Sequence, residues 1–245
     1  MLRKIKHRLV NFFVDLLSKP TIRYKFLLPL FDLVSKNPDE EILQKAMKFT
    51  AHAGTNGDYL EFGVWKGRSF ARAYQMRRYV KDRKLNSMRF YAFDSFEGLP
   101  EIKSHDGTSS EFKKGDYSCD LPTFKKSIIN KGVRMDDVTI VSGWYDKSLN
   151  EETKKSLQLK KASIIFVDCD LYESAVPVLN FITDYVVDGT IIIFDDWFAF
   201  NGDPEKGEQR AFREWLERNT NIRAVEWQKI NWKSNSFILN KKPSR

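Results

Sequence analysis

Four carboxylates stand where two apolar runs stop. Ser163-Ile164-Ile165-Phe166-Val167 runs directly into Asp168-Cys169-Asp170, and Thr190-Ile191-Ile192-Ile193-Phe194 runs into Asp195-Asp196-Trp197. Apolar, β-branched runs without polar alternation belong to strands buried on both faces, as in a parallel sheet covered by helices. A right-handed helical crossover brings two such strand ends to one edge of the sheet. That edge is where open α/β sheets bind ligands. Carboxylates that converge there repel one another, and a cation relieves the repulsion. Oxygen ligands with no His or Cys pair nearby suit a hard divalent ion such as Mg²⁺.

A second set of residues has the form of a cofactor cradle. Tyr59-Leu60-Glu61-Phe62 is followed at once by Gly63-Val64-Trp65-Lys66-Gly67-Arg68-Ser69 and by a helix to about Lys81. Glycine at a strand exit lets the backbone approach a ligand, and the next helix points its N-terminus at it. The turn is not a G-x-G-x-x-G fingerprint, because Val64-Trp65 occupies the place of the middle glycine, which argues against a nicotinamide cofactor. The following strand, Arg89 to Phe93, ends in Asp94-Ser95-Phe96-Glu97-Gly98-Leu99-Pro100. An acid one βα unit after the glycine turn suits the two hydroxyls of a ribose, with a turn cap as the plainer role. A third strand, Val138 to Val141, exits through Ser142-Gly143-Trp144-Tyr145, where Trp144 either stacks on a purine or packs in the core.

Positioning these residues requires alternating strands and helices. A polar loop from Glu101 to Asp120, long enough to be a mobile lid, precedes a helix over Leu121–Asn130. The crossover helix is expected over Tyr172–Val187, with Asp188-Gly189 as its stop signal. A helix over Glu208–Asn219 and strands near Val225–Gln228 and Ser236–Leu239 close the chain. The fold expected is α/β, a doubly wound and mostly parallel sheet of about seven strands over residues 51–245. Residues 1–50 read as a helical lead-in, acting as a lid or an oligomer contact. Within it, Ile5, Leu9, Phe12, Phe13 and Leu16 recur at helical spacing beside Arg3, Lys4, Lys6 and Arg8, Pro20 ends that helix, and Asn37-Pro38-Asp39 starts another through Phe49.

Composition narrows the function classes. The 245 residues, 42% hydrophobic and 14% aromatic, are enough for a sizeable core and argue against disorder. Lys plus Arg at 41 against Asp plus Glu at 33 gives a net charge of +8, which favours anionic partners without naming one. RNA recognition would need basic residues interleaved with aromatics on one face, or a named module, and neither is present, so no nucleic acid is expected. The basic N-terminal helix suits packing on its own domain or on a second subunit ahead of peripheral membrane contact. Asn11 and Asp15 interrupt the apolar run that a signal peptide needs, and no stretch approaches the ~18 apolar residues of a membrane span. Cys119 and Cys169 lack metal spacing and suit a reduced, cytoplasmic setting, and His7, His52 and His105 show no ligand spacing.

Taken together, Leu60-Glu61-Phe62-Gly63-Val64-Trp65-Lys66-Gly67, Phe93-Asp94-Ser95-Phe96-Glu97-Gly98-Leu99-Pro100, Gly143-Trp144, Asp168-Cys169-Asp170-Leu171-Tyr172 and Asp195-Asp196 resemble the macrocin O-methyltransferase family. The resemblance covers roughly residues 50 to 240. It implies a class I methyltransferase fold, S-adenosylmethionine as cofactor, Mg²⁺, and methylation of a sugar hydroxyl on a deoxysugar, nucleotide sugar or glycoside. By position it implies that Glu61, Gly63 and Gly67, with Ser69, shape the methionine and ribose end of the cofactor pocket. Asp94 would hold the ribose with Ser95 and Phe96 beside it, and Gly143 and Trp144 would flank the adenine. Asp168, Asp195 and Asp196 would ligate the metal. The lysine base of the wider catechol-type enzymes is replaced by Leu171, which leaves Asp168 as the catalytic proton acceptor. Relatives commonly associate, so a homo-oligomer is expected.

Two of the acids carry conditions. Neighbours in a strand point to opposite faces, so Asp195 and Asp196 reach one ion together only where the strand has ended. Asp170 lies three residues before Glu173, a spacing resembling a capping box, which puts helix capping ahead of metal binding for Asp170. A metal-dependent glycosyltransferase is the rival reading, because Asp168-Cys169-Asp170 matches an Asp-x-Asp motif literally. It leaves the glycine turn and Asp94 without a purpose. An O-methyltransferase acting on a non-sugar hydroxyl is the other alternative.

Overall fold

The computed structural model describes residues 38–80, 82–102, 106–107 and 111–242. Seven strands form one sheet: β1 (Asp58–Phe62), β2 (Phe90–Asp94), β3 (Val138–Ser142), β4 (Ala162–Val167), β5 (Val186–Phe194), β6 (Ile222–Lys229) and β7 (Asn235–Lys241), in the order β3-β2-β1-β4-β5-β7-β6. The first five are parallel, and β7 runs antiparallel between β5 and β6. The chain leaves β1 toward β2 and β3 and then returns to β4 on the other side of β1. The order therefore reverses between β1 and β4, the place where open α/β sheets carry their ligand crevice.

The two faces of the sheet follow from strand alternation. Tyr59 and Glu61 of β1 point to the face covered by α1 (Pro38–Ala53) and α2 (Arg68–Val80), where Tyr59 meets Phe70 of α2 and Phe90 of β2. Leu60 and Phe62 point to the opposite face, where Phe62 stacks on Phe93 and meets Phe181 edge-on. Phe181 belongs to α6 (Tyr172–Ile182), which packs against α7 (Gly207–Arg218). Three further helices, α3 (Leu121–Asn130), α4 (Tyr145–Ser148) and α5 (Glu151–Ser156), complete the βα connections. Every residue of β4 is buried, as its mostly apolar sequence demands, and the one polar side chain, Ser163, donates its Oγ–H to Thr55 O at 2.9 Å.

The crossover ends earlier than the sequence suggests. Helix α6 stops at Ile182, a 3-10 turn covers Thr183–Tyr185, and β5 starts at Val186. Asp188-Gly189, expected to stop the helix, instead lies inside the strand. There the pairing with β4 jumps from Ala162↔Val186 to Ile164↔Ile191. Thr190 holds the irregularity by accepting from Val187 N at 2.9 Å and donating to Ala162 O at 2.7 Å. Gly189 has φ +82°, and a Cβ there would come within 2.6 Å of Thr55 Oγ1.

The compact unit containing this sheet begins at Pro38. Helix α1 therefore packs with the sheet, whereas the basic helix over Ile5–Leu17 lies outside the described residues. No helix among the described residues is long and apolar enough to cross a membrane.

Candidate active site

The exits of β1 to β5 line a cleft of about 570 Å³. At its floor the glycine turn and the acidic strand end touch. Gly63 has φ +86°, and a Cβ built on it would lie 1.7 Å from the carbonyl oxygen of Asp168. Asp168 N in turn donates to Phe62 O at 2.8 Å. Only glycine lets the β1 and β4 exits approach this closely.

On the glycine-turn side, Gly63, Asp94, Ser95, Gly143 and Trp144 line the cleft. Asp94 organises the turn from the next strand. Its Oδ2 accepts from Val64 N at 2.8 Å and Trp65 N at 3.1 Å, and its Oδ1 accepts from Phe96 N at 2.7 Å. The remaining residues of this group stand behind the wall. Glu61 is fully buried and accepts from Tyr59 Oη and, at 2.6 Å, from Ser69 Oγ. Burial pushes its carboxyl up to about 8, against the pull of those two hydroxyls. Gly67 lets α2 close on α3, since a Cβ there would come 2.4 Å from Ile128 Cγ2. Phe96 is buried, with its ring 5.5 Å from that of Phe124.

On the acidic side the strands end just before the carboxylates. β5 stops at Phe194, so Asp195 and Asp196 both lie beyond it. Asp168, Asp195 and Asp196 each offer an oxygen, and these oxygens lie within 4.8 Å of one another. Burial, then Asp195 and Asp196, push the Asp168 carboxyl well above the usual range. Asp170 is shifted the same way by burial and Asp196. Such a set cannot ionise together without a cation, which is the environment a divalent ion fits.

Asp170 does not cap α6. Its φ is +60°, and the capping position falls to Leu171, which makes no side-chain cap bond. The cap comes from Asp106, in the loop between β2 and α3. This carboxylate is 1% exposed, and it accepts from Tyr172 N of α6 through Oδ2 and from Gly207 N of α7 through Oδ1, each at 2.8 Å. One residue thus ties together the two helices that follow the acidic strand ends. The same loop is anchored by Glu111, which accepts from Phe200 N at 3.0 Å, and by Phe112, packed on Phe200. Leu171, in the place of the catechol-type lysine, is buried in a small core with Leu99, Phe112, Ala199 and Phe200.

Two further residues were not evident from motifs. Lys233, just before β7, reaches Asp195 Oδ2 at 2.5 Å and Asp196 Oδ1 at 2.9 Å. Burial works against its charge, but Asp196 and Asp195 outweigh that and raise its pKa. Glu208, at the start of α7, is 1% exposed, accepts from Asp196 N at 3.2 Å through Oε2, and has no hydrogen-bond partner at Oε1. Its carboxyl is pushed well up by burial and by Asp196 and Asp195. The register of β5 with β7 pairs Phe194 with Asn235 and so brings Lys233 beside the acids, with no local sequence signal for it.

The family model for macrocin O-methyltransferase (TylF) matches residues 39–234, the span that contains the whole cleft. The chain belongs to the macrocin O-methyltransferase family. Two curated relatives are similar at 27% identity. One is the 8-demethyl-8-(2,3-dimethoxy-alpha-L-rhamnosyl)-tetracenomycin-C 4'-O-methyltransferase of Streptomyces olivaceus, aligned over 63% of this chain and 58% of its own. The other is the mycinamicin III 3''-O-methyltransferase of Micromonospora griseorubida, aligned over 63% of this chain and 61% of its own. The aligned segment thus spans about three-fifths of the length of these relatives. Among solved structures, the calicheamicin methyltransferase CalS11 superposes with a TM-score of 0.69 at 20% identity, covering 96% of this chain and 91% of that one. The O-methyltransferase NovP superposes with a TM-score of 0.67 at 18% identity, covering 83% and 80%. These structures share the class I methyltransferase fold with this member of the macrocin O-methyltransferase family.

Proposed function

We propose that this protein is an O-methyltransferase that moves a methyl group from S-adenosylmethionine to a sugar hydroxyl and uses Mg²⁺. The observation that carries the reading is the contact between Gly63 and Asp168, which sets a cofactor-type glycine turn directly against three converging carboxylates. The curated relatives named for methylating sugar-bearing natural products support the acceptor class. The glycosyltransferase alternative needs Asp168 and Asp170 on one ion, yet the converging oxygens are those of Asp168, Asp195 and Asp196.

The chain's residues divide the work. Asp94, already fixed by three backbone donors, presents its remaining acceptor capacity to the ribose, with Ser95 beside it. Gly143 and Trp144 flank the adenine from the β3 exit. Asp168, Asp195 and Asp196 would hold the metal, and their fit rests on three oxygen donors within 4.8 Å of one another and on Lys233, a cation already drawn to two of them. When bound, the sulfonium supplies the methyl group and the divalent ion makes the acceptor hydroxyl more acidic. Asp168 takes the hydroxyl proton, with Asp170 as the neighbouring carboxylate at the same strand exit. The anchored loop carrying Asp106 and Phe112 helps exclude water, so alignment in a dry cleft contributes to rate.

A cytoplasmic homo-oligomer belongs to the same proposal, in keeping with the free, buried Cys119 and Cys169. The test is mass spectrometry of a panel of glycosides and nucleotide sugars incubated with S-adenosylmethionine and Mg²⁺, in which a gain of one methyl is expected. Absence of S-adenosylmethionine binding at millimolar concentration would sink the methyltransferase reading, and full activity in EDTA would sink the metal.

A further inference from the structure

The three converging carboxylates are not held alike. Asp195 is fixed through its main chain on both sides: its N–H donates to Val167 O at the end of β4 at 2.9 Å, and its carbonyl accepts from Ser234 Oγ at 2.6 Å. Asp168 N is likewise tied to Phe62 O at the end of β1, at 2.8 Å. Asp196 comes one residue too late for such partners. β5 has ended at Phe194, and its last pairs are with Val167 of β4 and Asn235 of β7, so the Asp196 N–H falls outside the sheet. A buried N–H without an acceptor costs about as much as a lost hydrogen bond. Here the acceptor is Oε2 of Glu208, at 3.2 Å.

Glu208 does this from a rigid base. It is 1% exposed, lies in the first turn of α7 and does not line the cleft. The start of α7 is pinned by Asp106, which accepts from Gly207 N, and one turn further on Phe212 packs on Phe194 and Trp197, with ring centroids 4.9 and 5.7 Å away. The end of β5 and the helix that steadies it are thus packed together. The other carboxyl oxygen of Glu208, Oε1, is buried without a hydrogen-bond partner. A polar atom left over in this way breaks a rule that folded proteins keep almost everywhere, and such breaks gather at functional sites. The oxygens that lie within 4.8 Å of one another are those of Asp168, Asp195 and Asp196, so Glu208 stands behind the ligands of the proposed ion and is not one of them.

We propose that Glu208 is a positioning residue: by accepting the Asp196 N–H it fixes the third carboxylate of the cation site, and so raises the preference of that site for Mg²⁺ over Ca²⁺. This rests on the metal-dependent reading of the site and adds what selects the ion. Mg²⁺ is small and demands near-ideal octahedral geometry, whereas Ca²⁺ is larger and accepts irregular sets of oxygens. A carboxylate whose main chain can drift therefore harms Mg²⁺ first. A change in charge alone would weaken both ions together.

The test is calorimetric titration of Mg²⁺ and, separately, of Ca²⁺ into the full chain carrying S-adenosylhomocysteine, for wild type, E208Q, E208L and E208A. E208Q keeps an oxygen for the Asp196 N–H, whereas E208L fills the space without an acceptor and E208A empties it. The ratio of Mg²⁺ to Ca²⁺ affinity is expected to fall by about tenfold or more in E208L and E208A, the scale of losing a partner behind a metal ligand, and to stay within about twofold of wild type in E208Q. S-adenosylhomocysteine affinity should stay within about twofold throughout, showing that the variants are folded. An unchanged ratio in E208L and E208A, or a fall in E208Q as large as theirs, would overturn the proposal while leaving the metal site standing. Parallel loss of both ions and of S-adenosylhomocysteine would mark a merely structural role and overturn it too. Failure of the wild type to bind Mg²⁺ with S-adenosylhomocysteine in place would overturn it together with the metal reading.

Discussion

The two halves of the cleft both contain acids, but they treat them in opposite ways. On the glycine-turn side, Glu61 and Asp94 are met by the protein's own donors: two hydroxyls for Glu61 and three backbone N–H groups for Asp94. On the other side, Asp168, Asp170, Asp195, Asp196 and Glu208 mostly face one another, and among the described residues Lys233 is the cation that pairs with them. The first half is therefore met by its own donors, while the second gathers more acid than Lys233 balances, an excess that the proposed Mg²⁺ would relieve. Asp106 and Glu208 serve the second half from behind, one by holding two helix N-termini and the other by holding Asp196 N. The contrast predicts that cofactor binding survives changes which destroy the cation site.

The severest way to break the contrast is at the seam between the halves. G63A puts a methyl 1.7 Å from the Asp168 carbonyl oxygen, so a loss of more than about 4 kcal/mol is expected, measured by urea unfolding or seen as insoluble protein. Next in size, D168N and D195N should each lower turnover by at least ~100-fold while leaving S-adenosylmethionine affinity unchanged, as measured by radiolabelled binding beside a methyl-transfer assay. D170N separates the proton acceptor from the ligands. Full loss of turnover there with Mg²⁺ still bound would move that role from Asp168 to Asp170.

Smaller effects sharpen the comparison. Glu61 has its carboxyl raised from 4.5 to about 8 by burial, so folding favours its protonated form. The stability tied to Glu61 is then fully present below pH 4.5 and is lost as pH rises through about 8. Without cofactor, the stability gain of E61Q over wild type should grow across that window and level off above it, as followed by denaturant titrations at several pH values. D106A removes the caps of α6 and α7 together and should cost about 2 kcal/mol, roughly 1 for each helix. K233A is expected to have the smallest effect and the opposite sign on metal. With the cation tethered to Asp195 and Asp196 gone, Mg²⁺ should bind about threefold tighter, and the thermal shift on adding Mg²⁺ should increase.

Much of this was legible in the sequence because strand cores announce themselves. The runs before Asp168 and Asp195 stop so sharply that strand, exit and acid were placed together, and the β5 end at Phe194 met the condition for Asp195 and Asp196 to share an ion. Local signals failed where a distant partner took over. The Asp170–Glu173 spacing resembles a capping box, but Asp106, 66 residues away from Tyr172, supplies the cap instead. Asp188-Gly189 looks like a helix stop, yet pairing with β4 absorbs it as an irregularity in β5. Lys233 carries no motif at all. It reaches the acids because β7 returns antiparallel beside β5, a pairing that local patterns do not state.

The central claim, that one half of the cleft meets its acids with its own donors while the proposed Mg²⁺ relieves the other, is tested most directly by calorimetric titration of Mg²⁺ into wild type and D195N, each saturated with S-adenosylmethionine. The account predicts one Mg²⁺ per wild-type chain with release of protons from the acid cluster, and no measurable Mg²⁺ binding by D195N despite intact cofactor binding. Equal Mg²⁺ binding by the two proteins, or loss of cofactor binding with Asp195, would contradict it.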